Sequence, residues 1–386
     1  MSHSTSHRWT NRVTVRAAIV AGIALAGTAI SGAAANAQTT AHTRTTTHAV
    51  FVQTDNVTGN TVVAYDRSAD GTLHQANSYA TGGAGGILAG SVVDHTASQG
   101  ALAYDNGLLY AVNAGSNTIT TFRVNGDTLS GRQVLSSGGD FPVSITAHGS
   151  LVYVLNARSG GSIQGYLRVG ARLVRVPAWH RTLGLDPTLT PEFTSTPGEI
   201  AFTPDGSKLV VTTKGNGNSI QVFRVSAIFG PSASPVTTVL DGEVPFAVTF
   251  DARGHLVVAL AGPNALATFR INPNGSLAGL ASVPTGQAAT CWVVADGDRF
   301  YVSNAGSASV TGFRGSASGA LTALGNTATD PGTVDASVSP DGRNLYVQTG
   351  ANGIVDEFRV NTDGTLIAIG SVTVPGSVGG EGIVAR

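Results

Sequence analysis

The chain has 386 residues, 42% of them hydrophobic and only 12% charged, about half the roughly 25% charge of an average soluble domain. The hydrophobic share excludes general disorder, and the 50 glycines keep no three-residue period, which excludes a collagen-like chain. Lysine plus arginine (22) nearly cancel aspartate plus glutamate (23), so no overall field selects nucleic acid or an anionic membrane. Many Val, Thr, Ala and Ser residues among so many glycines imply short strands joined by tight turns.

The N-terminal segment reads as an address. Arg8, Arg12 and Arg16 precede Ala17 to Ile30, a run of 14 residues without a charge, and small residues follow to Ala35-Asn36-Ala37. A basic start, a short apolar core and an A-x-A site predict a signal peptide over 1–37, cleaved after Ala37. The apolar run is shorter than the roughly 20 residues a membrane span needs. Loss of three arginines leaves 19 basic against 23 acidic residues, so the expected product is secreted and mildly acidic. Residues 38–47, rich in threonine, read as a solvated linker. Cys291 is the single cysteine, which excludes an intramolecular disulfide; its surroundings, Thr290-Cys291-Trp292-Val293-Val294, read as buried strand.

From residue 48 onward one phrase recurs: an apolar strand, a small polar loop, then a strand ending in an aromatic and usually arginine. Ile119-Thr120-Thr121-Phe122-Arg123, Ile220-Gln221-Val222-Phe223-Arg224 and Val355-Asp356-Glu357-Phe358-Arg359 are examples. The aromatics at 65, 122, 166, 223, 269, 313 and 358 stand 57, 44, 57, 46, 44 and 45 residues apart. Seven copies at this period predict an all-β, seven-bladed β-propeller over 48–386, with four strands per blade. Asx-Gly pairs such as Asp70-Gly71 and Asp363-Gly364 supply hairpin turns. Alternation places each aromatic between blades and its arginine on the opposite face. The region opens on a second-type strand near His48 and ends on an orphan inner strand at Gly382–Ala385. The C-terminus is therefore expected to complete the first blade and leave no free edge at the joint.

The second strands of Tyr-Val-x-Asn type, the Pro-Asp-Gly turns at 204–206 and 340–342, and the Asp-Gly-Thr-Leu turns resemble the lactonase family of seven-bladed propellers. That family includes 6-phosphogluconolactonase and a carboxymuconate-lactonising enzyme, and the chain looks like its exported actinobacterial branch. The resemblance covers about 48–386 and implies opening of a lactone ring, or its reverse, without a cofactor. It does not supply the active-site residues. Where active relatives carry Gly-Pro-Arg-His on a mid-chain inner strand, this chain reads Thr196-Pro197-Gly198-Glu199. Where they end the next strand in Asn-Glu, it reads Thr212-Thr213-Lys214. A histidine-bearing strand one blade earlier becomes Phe141-Pro142-Val143-Ser144.

Site candidates therefore come from position and chemistry. Glu199 and Asp335 sit at equivalent starts of inner strands, counted back from Gly206 and Gly342, and Glu243 and Glu381 lie near two others. Lactone hydrolysis needs a base for water and a donor for the developing oxyanion, so Glu199, Asp335 and Lys214 are the catalytic candidates. The connection 168–197 carries four arginines around Trp179-His180 and reads as an insertion over one face. Trp179, His180 and Arg181 in it, together with Glu243, are the expected substrate contacts, since guanidinium pairs an anion and indole covers an apolar face. No histidine pair has metal-ligand spacing, and no metal is assigned. The first functional reading is a secreted lactonase-like hydrolase acting on a small acidic or sugar lactone. The alternative is a non-catalytic propeller that binds a ligand, glycan or protein at the same mouth. A monomer without nucleic-acid partner or membrane span is expected in either case.

Overall fold

The computed structural model describes residues 48–386; the expected signal peptide and the threonine-rich linker lie outside the described residues. Seven antiparallel sheets stand in a ring, six of them made of consecutive strands. Inner strands run over Leu102–Asp105, Pro142–His148, Ile200–Phe202, Pro245–Phe250, Thr290–Asp296 and Thr333–Val338 in blades 2 to 7. The inner strand of blade 1 is Ile383–Ala385, paired antiparallel with Ala49–Gln53 through Val50–Ala385, Phe51–Val384 and Val52–Ile383. The two termini of the ring thus share one sheet, as the orphan strands require.

The repeat aromatics explain the packing. Tyr65, Phe122, Tyr166, Phe223, Phe269, Phe313 and Phe358 are all buried, while Arg123, Arg224, Arg270, Arg314 and Arg359 are exposed. The alternation of a strand gives each repeat one inward anchor and one solvated neighbour. Apolar clusters accordingly lie between successive sheets. One joins Tyr153, Trp179, Phe202 and Phe223 of blades 3 and 4, another joins Phe246, Trp292, Phe300 and Phe313 of blades 5 and 6.

Two departures from the repeat matter below. Residues 172–182, expected in an insertion over one face, form the fourth strand of blade 3, Arg172–Thr182. Only the stretch from Leu183 to Pro197 crosses the face, and it includes one short helical turn, Glu192–Ser195. In blade 4 the fourth strand is split into Gly230–Pro231 and Val236–Val239, both paired with Ser219–Ser226.

Because the C-terminal strand carries the inner edge of blade 1, removing residues 376–386 is predicted to abolish the cooperative thermal transition of the chain. A melt that keeps its midpoint and sharpness after this deletion would refute closure as the source of stability.

Candidate functional site

The inner strands begin on one face of the ring, and the axis there is closed by a segment of the chain itself. Residues 86–101, between blades 1 and 2, cross from one side of the ring to the other. The Ser98 hydroxyl donates to the carbonyl of Val143 in blade 3 at 2.9 Å, and Gln99 N–H donates to Gly198 of blade 4 at 3.2 Å. The Gln99 side chain acts as a strand partner for blade 6, donating to Val293 O at 3.0 Å and accepting from Val293 N at 2.9 Å. Trp292 Nε1 donates to Ser98 O at 2.6 Å. The Val93 carbonyl packs so closely on Gly350 of blade 7 that a β-carbon there would collide with it. This plug explains the long first interval between Tyr65 and Phe122. That interval is the one signal of it in the sequence.

Lys214 fastens the plug from blade 4. After Lys208–Thr212 the chain enters the left-handed region at Lys214 (φ 52°), and its side chain, 1% exposed, turns inward. Its Nζ donates to Ala97 O and Phe193 O at 2.6 Å each and to Thr196 Oγ1 at 3.1 Å. Those acceptors belong to the plug and to the 183–197 crossing, which meet again where Ala89 N donates to Glu192 Oε2 at 2.6 Å. All three ammonium protons are engaged, so Lys214 has none to offer a substrate. Burial draws the ammonium down to about 7, opposed mainly by the Asp94 charge.

The inner-strand acids lie beneath the plug. Glu199 Oε2 accepts from Val248 N at 2.6 Å, and Asp335 accepts from Ala336 N and from Ile383 N at the closing strand. Glu381 Oε1 accepts from Gly100 N at 2.9 Å and Ala101 N at 3.3 Å, while Oε2 accepts from the Thr96 and Ser98 hydroxyls at 3.3 Å. Burial raises all three: Glu199 and Glu381 well above the usual carboxyl range, and Asp335 to about 7. Asp335 and Glu381 also hydrogen-bond each other, and the Asp335 charge adds to the rise at Glu381. Glu199, Asp335 and Lys214 are thus gathered at one end of the axis, the two acids beneath the plug and the ammonium with all its protons engaged.

The other predicted contacts lie elsewhere, which corrects the reading of 168–197 as an insertion over one face that holds substrate. Trp179 is buried between blades 3 and 4, stacked on Tyr153 at 6.2 Å. His180 follows it on the outer strand, and the Arg181 guanidinium donates to Pro231 O and Ser232 O of blade 4. These side chains brace two blades, because a bulge between Gln164 and Tyr166 in the pairing widens the outer strand toward its neighbour. Glu243 is half-buried and lines a separate groove with Leu240, Leu260 and Phe269.

One opening left at the mouth is a small pocket of about 140 Å³, bounded by Val92, Val93, Asp94 and Ala97 of the plug, Phe193, Phe246, and Ala289, Cys291, Trp292 and Ala305 of blade 6. Phe246 and Trp292 form an aromatic floor with ring centroids 4.9 Å apart, and Lys214 Nζ stands 5.2 Å from the Phe246 ring. The one carboxyl on this wall is Asp94. Its Oδ1 accepts from the Thr96 amide and hydroxyl at 2.8 Å and Oδ2 from Ser98 N at 2.9 Å. Burial raises it despite those donors and despite Lys214. Cys291, expected in a buried strand, does lie on an inner strand, but half-buried with its side chain on the pocket wall. Its surroundings push the thiol up to about 12, so it is a neutral wall residue and not a nucleophile at pH 7. Among the described residues no group of three His, Cys, Asp or Glu side chains is placed to hold a metal.

A family model described as a seven-bladed β-propeller lactonase matches residues 56–170. Solved structures with the same fold include a periplasmic gluconolactonase from Pseudomonas aeruginosa (20% identity, TM-score 0.67, 88% of this chain and 98% of the other). They also include a provisionally assigned 6-phosphogluconolactonase from Bacteroides fragilis (17% identity, TM-score 0.67, 88% and 98%). A protein from Lactobacillus plantarum is similar at 20% identity and TM-score 0.68 over 88% and 99%. No curated protein sequence matches the chain with significance. The neighbours share the seven-bladed fold, and the family model likens residues 56–170 to a propeller lactonase.

The buried acids set a pH dependence. A carboxyl whose folded pKa is raised keeps its proton in the folded state while the unfolded chain releases it. Its contribution is full below about 4 and is lost as pH rises through the folded value. With Asp335 near 7 and Glu199 and Glu381 also raised well above the usual carboxyl range, the melting temperature is predicted to fall between about pH 4.5 and 7.5. The slope is up to about 1.4 kcal/mol per pH unit for each proton. Asp205 and Asp341, held near 2, act below this window, and Lys214 reverses the trend above about 7. Asp335→Asn should flatten the acid limb in a pH series of melts; a wild-type melt that rises across it would contradict the buried proton.

Proposed function

We propose that the chain is a secreted lactonase-like hydrolase that opens a small lactone in the pocket beside Asp94. The observation that carries this is a single desolvated carboxyl on an otherwise apolar, aromatic-floored pocket at the face where the inner strands begin. Concave, largely apolar pockets hold small ligands by shape, with a few polar groups fixing orientation. A carboxylate whose pKa is raised toward neutrality is a better general base than an exposed one.

In this reading Asp94 takes a proton from water as the water oxygen attacks the lactone carbonyl carbon. The ring C–O bond then breaks, and the leaving alkoxide recovers the proton to give the hydroxy acid. The Lys214 ammonium, held under the Phe246 floor, stabilises developing negative charge through its field in a low-dielectric site. No unengaged cation lines the pocket among the described residues, so the wall favours an uncharged lactone ring over a phosphorylated one. That narrows the substrate expected from sequence. Support comes also from the lactonase family model over 56–170, while export rests on the leader at residues 1–37. A binding-only propeller would use the same pocket; the sealed axis, with Glu199 and Asp335 beneath it, favours that second reading.

The test is proton release by the purified protein over γ- and δ-lactones, including gluconolactone, with spontaneous opening subtracted and with and without EDTA. Asp94→Asn is predicted to lower turnover by about 100-fold or more, the scale of a lost general base, while Glu199→Gln keeps it, both with cooperative melts. Turnover lost in Glu199→Gln and kept in Asp94→Asn would move the chemistry under the plug. Absence of turnover across the panel would leave the binding propeller.

A further inference from the structure

Blade 4 breaks the repeat at one point that neither packing nor the pocket requires. In five blades the turn from the third to the fourth strand has a short polar residue before its glycine: Asp70-Gly71, Asn125-Gly126, Asn274-Gly275, Ser318-Gly319 and Asp363-Gly364. In three of them that residue caps the turn: Asp70, Asn274 and Asp363 accept the amides of Thr72, Ser276 and Thr365 at 2.9–3.1 Å. Such caps are what a hairpin of this kind favours. Blade 4 has instead Ser226-Ala227-Ile228-Phe229-Gly230, with Ile228 77% and Phe229 79% exposed.

The apolar tip is held firmly. Ser226 Oγ accepts from Ile228 N and Phe229 N at 3.3 and 3.2 Å. Gly230 (φ 75°) sits flat on the Trp179 indole, where any β-carbon would collide. Arg181 clamps the carbonyls of Pro231 and Ser232. Trp179 and Arg181 therefore serve to present this turn.

The surroundings have one chemistry. Of the thirteen large apolar side chains exposed among the described residues, six lie on the third and fourth strands of blades 3 and 4 or their turns: Val169, Val174, Ile228, Phe229, Val236 and Val239. Residues 162–182 and 219–239, which make up that rim, contain five arginines and no aspartate or glutamate, in a chain balanced overall. Arg168 pairs with Asp105 from outside the rim, and Arg181 and Arg224 donate to carbonyls. Arg172 and Arg175 are exposed and form no ion pair among the described residues. An aromatic and an aliphatic tip beside uncompensated arginines is the composition of an interfacial anchor, and each basic group near an anionic surface adds attraction that salt screens.

We infer that the outer rim of blades 3 and 4 docks the protein on an anionic lipid surface, Ile228 and Phe229 entering the headgroup boundary and Arg172 and Arg175 facing lipid phosphates. Flotation of the purified protein with vesicles of phosphatidylglycerol and phosphatidylcholine tests it, against pure phosphatidylcholine vesicles. Binding to the anionic vesicles alone is expected, falling at least about tenfold between about 0.05 M and 0.5 M NaCl. The double variant Ile228→Ser/Phe229→Ser should lose binding about tenfold or more with an unchanged melt, both sites being exposed. Arg172→Gln/Arg175→Gln should weaken binding and its salt dependence together. No binding to anionic vesicles, or binding indifferent to Ile228→Ser/Phe229→Ser, overturns the inference. So does self-association in sedimentation velocity that the apolar double variant abolishes while vesicles remain unbound, which would assign the rim to a second copy of the chain.

Discussion

A ring of seven sheets leaves an axis that side chains must fill or water will enter, and this chain fills it with its own backbone. Glu381 is the point where that solution joins the rest. It immediately precedes the closing strand's anchor at Gly382–Ile383, and its carboxyl accepts four donors from Thr96, Ser98, Gly100 and Ala101. One side chain therefore connects ring closure to the plug. A buried acid is tolerable only when its oxygens are satisfied or protonated, and here both hold: amides and hydroxyls surround it and a neighbouring carboxyl shares its hydrogen bond. The seven-blade arrangement, the sealed axis and the pocket beside the plug all depend on that cluster being built correctly.

The same economy governs Lys214. An ammonium in the interior needs acceptors for every proton, and the three it finds come from two separate excursions of the chain. Position alone suggested a catalytic donor, because Lys214 ends a second strand at the mouth. Geometry assigns it to holding the plug and to shaping the field around Asp94. The distinction is chemical: a cation whose protons are all engaged acts on a substrate through its charge and not by donating a hydrogen bond.

The fold was legible because a propeller repeats its demands. Seven buried aromatics at nearly constant spacing, turns that need Asx-Gly and orphan strands at the two ends each state the same architecture independently. The site was less legible because it is made where the repeat is interrupted. The interval from Tyr65 to Phe122 announced twelve or so extra residues, but nothing in Gly86–Ala101 says that they run across the axis. The contacts that put them there come from Val293, Gly198 and Glu381, scattered over the remaining chain. Trp179 and Arg181 misled for the opposite reason. Their residue types suit an anion site, yet a bulge in an outer strand turns them toward the next blade.

Interruptions of a repeat separate what the fold requires from what it merely permits. A buried repeat aromatic or an Asx-Gly turn is required by packing and backbone geometry wherever it recurs, so its presence says little about function. Asp94 and the Ile228-Phe229 turn have no counterpart in the other blades. Asp94 carries a desolvation cost that a neutral residue would avoid, and Ile228 and Phe229 leave apolar area in water that a polar turn would remove. A stable propeller would form more readily without either. On the proposed reading the chemistry lies at the plug and the contact surface on the outer rim of blades 3 and 4, two regions that differ in the same way from the symmetry around them.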